Sequence, residues 1–528
     1  MTPILAAGFN EVATQFDVPE PRVALTTGLY MLGLGIGSAI LSPTAILYGK
    51  RPVYLCAAIC FILTSVWCAL SPDFPSLVIA RVFMGIAVSS VECLPSATVA
   101  EIFFLHEKAY RLGIYTLLLL GGKNLVPLVS AVIIQSLDWR WVFWIVAMVV
   151  GLCFVLLFFF VPETFWDRAP RPRKHGLRRF SSLQGAFRRD SVPRSPDAAK
   201  KAEKSGQTDR DVSPIDLSPN DTTQNNEYFT EPPLTRDATS NGPSAMPELS
   251  AVVSDPEQQQ LAPVPSLNPY TESRREQPEL GFVQSLRPYA GRLTKDRWLR
   301  VAIRPFILYT YPSILWSALV YSLSVGWLIV LSESVSTIYE HRDTYNFNSL
   351  QTGLVYISPF VGGILGTVVA GKVSDRIVRF LSRRNGGVYE PEFRLVMGLP
   401  IAIFTTIGLM GYGWSAAERD LWIVPTVFFG FISFGCTLGS TTAITFAVDS
   451  YRQYAGEALV TLNFSKNIFH GLVFSLFFNR WLDADGSRTV FIALGGIQMA
   501  CLLTTIPMYI YGKRARMWTV RCNRMERF

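Results

Sequence analysis

Histidine is almost missing from this chain. His106, His175, His341 and His470 are the four in 528 residues, and they are scattered. That scatter excludes the clustered histidines with which integral desaturases and hydroxylases hold metal, and no H-E-x-x-H, P-loop or Ser-His-Asp grouping is found. The expectation is a protein that is not an enzyme and carries no cofactor or metal. Charge is scarce too, at 17% of residues, where soluble domains run at about a quarter. Cysteine pairing is also lacking. Cys56, Cys60, Cys68, Cys93, Cys153, Cys436 and Cys501 lie inside apolar runs and none forms a C-x-x-C pair, so they read as packing thiols.

What is present in abundance is apolar sequence, 50% of the chain. Crossing about 30 Å of hydrocarbon takes roughly 20 helical residues. Runs of that kind are expected at 23–47, 53–70, 77–100, 112–137, 141–161, 303–331, 351–370, 395–413, 421–448, 457–479 and 489–511. They are long and lack the alternation of barrel strands, so helices are expected. Residues 167–297 differ: rich in Pro, Ser, Asp, Gln and Arg, they cannot bury enough apolar surface to offset their ordering entropy. The expected organisation is a helical bundle over 1–166, a disordered linker over 167–297, a second bundle over 298–511 and a tail over 512–528. Trp298 and Leu299 open a short amphipathic lead into that second bundle.

Basic residues give orientation. Lys50, Arg51, Lys108, Arg111, the arginines of 168–189, Arg452, Lys513, Arg514 and Arg516 fall on one side if the spans alternate. The positive-inside rule puts that side, with the linker and the C-terminus, in the cytoplasm. The Asn220-Asp-Thr222 sequon then carries no glycan. The opening "MTPILAAGFNEVATQFDV" is too short to cross and lacks a basic leader, and Met1–Phe9 reads as the outer end of a first helix whose beginning is missing from this chain.

One stretch, "GKVSDRIVRFLSRRNGG" at 371–387, breaks a long uncharged run. A phosphate cradle, a nucleic-acid patch and a membrane exit are the three readings it admits. No strand precedes it and its arginines match the orientation above, so it marks where the chain leaves the membrane. No nucleic-acid partner is expected.

With this pattern laid out, several phrases carry a resemblance. "SPTAILYGKRPVYL" (42–55) sits where the major facilitator superfamily has a Gly-x-x-x-Asp-Arg-x-Gly-Arg-Arg loop, and "GKVSDR" is its repeat in the second half. "ARVFMGIAVSS" (80–90) resembles the fourth-helix Arg motif, while "DWRWVFWI" (138–145) opens and "PETFWDR" (162–168) closes the sixth helix. "NGGVYEPEFRL" and "AGEALVTLNFSKN" are similar to phrases of the fungal twelve-span drug:proton antiporter group, in the branch with the yeast histidinol and polyamine transporter. The resemblance implies two six-helix bundles related by a pseudo-two-fold axis, a midplane substrate site and proton coupling, with Arg81 in the coupling position. It also implies a monomer in the plasma membrane that binds small molecules and protons. Ile46 departs from the family's first-loop acid, and "VPLVSA" (126–131) keeps Pro127 but not the glycines of the export signature, so direction is not implied.

A charge in mid-membrane costs about 2.5–3.5 kcal/mol on insertion scales, so each one needs a reason. The candidates are Arg81, Glu92, Lys123 with Asn124, Glu333, and the helical face of Asn463, Lys466, Asn467 and His470. Arg81 and Glu92 are eleven residues apart and project from nearly one face. Glu92 is expected to exchange a proton or attract a cation, with Arg81 tuning it. Arg81 and Lys123 fit a packing role as well as a lining role, Glu333 fits a solvated mouth as well as a binding role, and His470 fits a hydrogen-bonded helix position. Gly49, Lys50, Arg51, Gly371, Asp375 and Arg376 are the expected cytoplasmic gate. A transporter-like sensor, signalling through the linker, is the alternative.

Overall fold

The computed structural model describes residues 4–5, 8–102, 115, 122, 125–164, 281–289, 291–294, 296–341, 344–522 and 524–527. Two compact units divide the chain, Met1–Arg171 with Glu279–Phe528, and Pro172–Pro278; all described residues belong to the first. Those residues are helical apart from turns and connections, with no strand among them. Nine helical stretches among them are long and apolar enough to cross a membrane.

The first group comprises α1 (Phe9–Phe16), α2 (Glu20–Tyr48), α3 (Lys50–Leu70), α4 (Phe74–Ile102), α5 (Leu125–Ser136) and α6 (Trp139–Phe160). α2 packs on α4, and α3 packs on α4 and α6. The α2–α4 crossing is close because glycines meet there: a Cβ on Gly33 would strike the Val82 carbonyl, and one on Gly85 the Tyr30 carbonyl. In α6 the large residues Met148, Leu152, Val155, Phe159 and Phe160 point outward, a surface that only lipid covers favourably.

The second group opens with the short α7 (Phe282–Ser285) and α8 (Trp298–Ile307). α8 is amphipathic, with Val301 and Pro305 buried and Leu299, Ile303 and Phe306 exposed on one side, as a helix lying at the membrane surface requires. The expected single run over 303–331 is broken here. Tyr311 precedes Pro312 and adopts the extended conformation that proline imposes on its predecessor, at φ −97° and ψ 113°. The span is therefore α9 (Pro312–Tyr339). Beyond it lie α10 (Ser349–Val355), α11 (Ile357–Val368), a π-helical turn (Val369–Val373) and α12 (Ser374–Arg384). Next come α13 (Gly398–Glu418), α14 (Ile423–Ser450), α15 (Ala455–Ile468), a second π turn (Phe469–Phe474), α16 (Ser475–Leu503) and α17 (Thr505–Cys522). α16 turns a corner at Gly486, whose φ of 76° favours glycine. α17 runs past the expected end at 511, and Thr519 is buried against the Tyr451 hydroxyl at 2.9 Å.

α11 and α14 repeat the close crossing of the first group: a Cβ on Gly362 would meet the Gly430 carbonyl. Between the groups, α2 lies along α15 and the second π turn. Gly35 faces Asn467 and Ile468, while Gly471 faces Gly28 and Leu32.

Candidate functional site

Where the groups meet, α4 brings Glu92 against α15. The Lys466 ammonium donates to Glu92 Oε2 at 2.9 Å, with the two side chains 1% and 6% exposed. Asn467 Nδ2 donates to the same oxygen at 3.2 Å, and Asn463 Nδ2 to the Glu92 backbone carbonyl at 3.4 Å. From α9 the Tyr321 hydroxyl donates to Asn463 Oδ1 at 3.2 Å, and its ring centroid lies 5.8 Å from Lys466 Nζ. The i, i+3, i+4 spacing of Asn463, Lys466 and Asn467 puts them on one helical face, and that face meets the carboxylate. Breaking a buried pair of this kind by removing one partner costs about 3–5 kcal/mol, whereas exchanging one ammonium for another leaves the carboxylate neutralised.

The structure brings Glu92 to Lys466, not to Arg81. Eleven residues of helix align two side chains but separate them by about 16 Å along the axis, so a shared face is no contact. The Arg81 guanidinium is fully buried and stacks over Tyr30 at 4.8 Å and Phe143 at 5.8 Å from the centroids, while Nη1 donates to the Met84 sulfur at 3.7 Å. Stacking on an aromatic face is how a guanidinium is held in an apolar setting. Lys123 and Asn124 lie outside the described residues.

Glu333 does not sit at a solvated mouth. It is 2% exposed, and its Oε1 lies 3.5 Å from Nε2 of His470, which is 0% exposed on the second π turn.

At the basic end, Gly49 takes a φ of 98° and starts α3 abruptly. The Lys50 and Arg51 backbone N–H groups each donate to the Glu163 carboxylate at 3.1 Å, an acid set on a helix N-terminus. The Arg51 guanidinium donates to the Phe158 carbonyl at 2.8 Å and the Leu286 carbonyl at 3.1 Å. Leu293 and Trp298 lie over the same corner: Leu293 N–H donates to the Leu47 carbonyl at 2.8 Å, and Trp298 Nε1 to Thr44 Oγ1 at 3.1 Å. In the same corner Thr294 Oγ1 donates to the Ile46 carbonyl at 3.5 Å.

The second copy of the loop is built differently. Asp375 is 54% exposed and reaches Arg394 at 3.4 Å, and Arg394 is held more closely by Asp449 at 2.7 Å. Tyr389 donates to the same Asp449 oxygen, and burial together with the Asp449 charge pushes its hydroxyl above the usual phenol range. Gly371 and Arg376 are exposed. Asp375→Asn should therefore cost under about 1 kcal/mol, and Asp449→Asn about 1–3 kcal/mol by stranding the guanidinium. Melting of the purified variants in detergent ranks them, and equal losses would mean that Asp375 holds Arg394 as firmly as Asp449 does.

Residue patterning alone does not single out Glu163, Tyr389 and Arg394 as site residues. The signal was their place inside "PETFWDR" and "NGGVYEPEFRL", but their partners lie across the fold.

The family model described as Major Facilitator Superfamily matches residues 2–473. Protein HOL1 of Saccharomyces cerevisiae is 25% identical over 503 residues, which is 94% of this chain and 80% of that protein. The MFS antiporter QDR3 of Candida albicans is 26% identical over 549 residues, 96% of this chain and 74% of that one. Among solved structures, the xylose transporter XylE from E. coli, in a partially occluded inward open conformation, has a TM-score of 0.55 at 14% identity. The match covers 95% of this chain and 93% of that one, and it establishes a shared fold.

Proposed function

The chain belongs to the Major Facilitator Superfamily and is a multi-pass membrane transporter of small molecules; from that premise we propose that it moves small organic cations by proton-coupled alternating access, with Glu92 receiving the cation. The observation that carries this reading is the buried Glu92–Lys466 bridge between the two helical groups. Lys466 acts as a tethered ammonium that holds the site when no substrate is bound. An incoming ammonium takes over the carboxylate, and the Tyr321 ring offers it a cation–π face. Lys466 then lets go, and the α4–α15 tie opens. Because one cation replaces another, the exchange is close to balanced in free energy, as a site that must both bind and release requires.

The basic end faces the cytoplasm under the positive-inside rule, and residence in the plasma membrane as a monomer is proposed from the family resemblance alone. The linker through which the sensor alternative would signal lies for the most part outside the described residues, and the named relatives that the chain matches are transporters.

Vesicles holding the purified full chain test the reading. Labelled spermidine should enter under a proton gradient, and amphiphilic cationic drugs should compete while aromatic carboxylates should not. Competition by the carboxylates alone would assign the site to Lys466 and to anions.

A further inference from the structure

We propose that the coupled proton is carried by the Glu333–His470 pair, one turn along from the cation site. The buried acids Glu92 and Glu333 face different partners. Glu92 faces the Lys466 side chain at 2.9 Å, a cationic residue type paired directly with the carboxylate. Glu333 faces an imidazole at 3.5 Å, and the charge on an imidazole depends on a proton. Without that proton the pair carries −1, with one it is neutral, and with two it carries +1. Both residues are almost fully buried, so the neutral state with one proton shared along Nε2–H···Oε1 is the one suited to a closed site. Opening the site to water on one side lets the proton leave to that side, and opening it on the other lets a new one bind.

The second observation is independent of the pair's chemistry. His470 stands on the π-helical turn Phe469–Phe474, which begins directly after α15. A π turn holds one extra residue, and converting it to α-helix rotates the helix after it relative to the helix before it. Lys466 and Asn467 lie on the earlier helix, so moving the proton site would turn it against the cation site.

The ionisable groups on the packed elements are few among the described residues. α15 and α4 bring Lys466 and Glu92, which bind each other. α15 also carries Glu457 near its start, and α4 carries Arg81, held on the rings of Tyr30 and Phe143, and Glu101 near its last residue. α9 brings Tyr321 and Tyr339, with Glu340 and His341 beyond its end, and Tyr356 donates to the Ser332 carbonyl at 3.3 Å. α2 brings Tyr30 and no charged residue between Val23 and Tyr48. The charges of α16, namely Arg480, Asp483, Asp485 and Arg488, cluster about its corner at Gly486, and those of α14 and α17, which also pack on α9, include Asp449 bound to Arg394, Lys513 bound to Glu390 and Arg516 bound to Glu392.

The assignment rests on the proton-coupled reading above, and the experiment separates the two. In vesicles containing the full chain, spermidine counterflow needs no net proton movement, whereas accumulation under a pH gradient does. Glu333→Gln and His470→Gln should keep counterflow near the wild-type rate and lose gradient-driven accumulation, with no proton movement seen by a trapped pH dye. Accumulation with the wild-type pH profile in either variant would overturn the assignment, while absent counterflow in the wild type would count against the cation reading instead. Infrared difference spectra of the wild-type protein with isotope-labelled histidine need neither variant nor substrate. A carboxylic-acid band and an imidazole band should titrate together, and independent titration would overturn the pair.

Discussion

Glu92→Gln should abolish high-affinity cation binding while the protein still reaches the membrane. The substitution keeps the shape and an acceptor for Asn467 but strands the Lys466 ammonium, which is 1% exposed. Removing one member of a buried charge pair costs about 2–5 kcal/mol, or roughly 30-fold to several thousand-fold in affinity. Equilibrium binding of labelled spermidine to detergent-solubilised protein measures the loss. The double variant Glu92→Gln with Lys466→Gln separates stability from function: it removes both charges and should recover melting temperature without recovering binding. Lys466→Gln alone should tighten cation binding, since the tethered competitor is gone, and slow turnover, since release must proceed without a replacement. If Glu92→Gln binds spermidine as the wild type does, the carboxylate is a packing element and the proposed mechanism fails.

Gly33→Leu should prevent folding altogether. A Cβ at Gly33 would run into the Val82 carbonyl, which belongs to the backbone of α4 and cannot swing aside. α2 and α4 would have to separate, and with them the stack of Arg81 on Tyr30 at 4.8 Å. Overpacking of a close crossing costs about 1–3 kcal/mol where neighbours can move, and more where they cannot. Gly151 is the control: a Cβ there meets nothing within 4 Å, so Gly151→Leu should be neutral. Size-exclusion profiles and melting curves of the two variants give the comparison. A Gly33→Leu protein with the wild-type melting temperature would mean that α2 and α4 can part without cost.

Residue order alone established the membrane class, the helical character of the apolar runs among the described residues and the polar faces within them. Lipid tolerates few charges and no unsatisfied backbone, so long apolar runs have one reading, and a helical period sorts Asn463, Lys466 and Asn467 onto one side. It also marked Glu92, Glu333 and His470 as costly groups in need of partners. Which partner each one takes was left to the tertiary structure. Arg81 and Glu92 share a face and a motif region, yet Glu92 meets Lys466, 374 positions along the chain, and Arg81 meets the rings of Tyr30 and Phe143. The same holds at the basic end, where Glu163 reaches Lys50 and Arg51, and Arg394 takes Asp449 more closely than Asp375. The break at Tyr311–Pro312 was readable from the proline rule, but the π turn under His470 was not, since nothing in "NIFHGLVF" distinguishes 3.6 residues per turn from one residue more. Periodicity fixes the direction in which a side chain leaves its own helix; only the packing of helices distant in the chain decides which charge it meets.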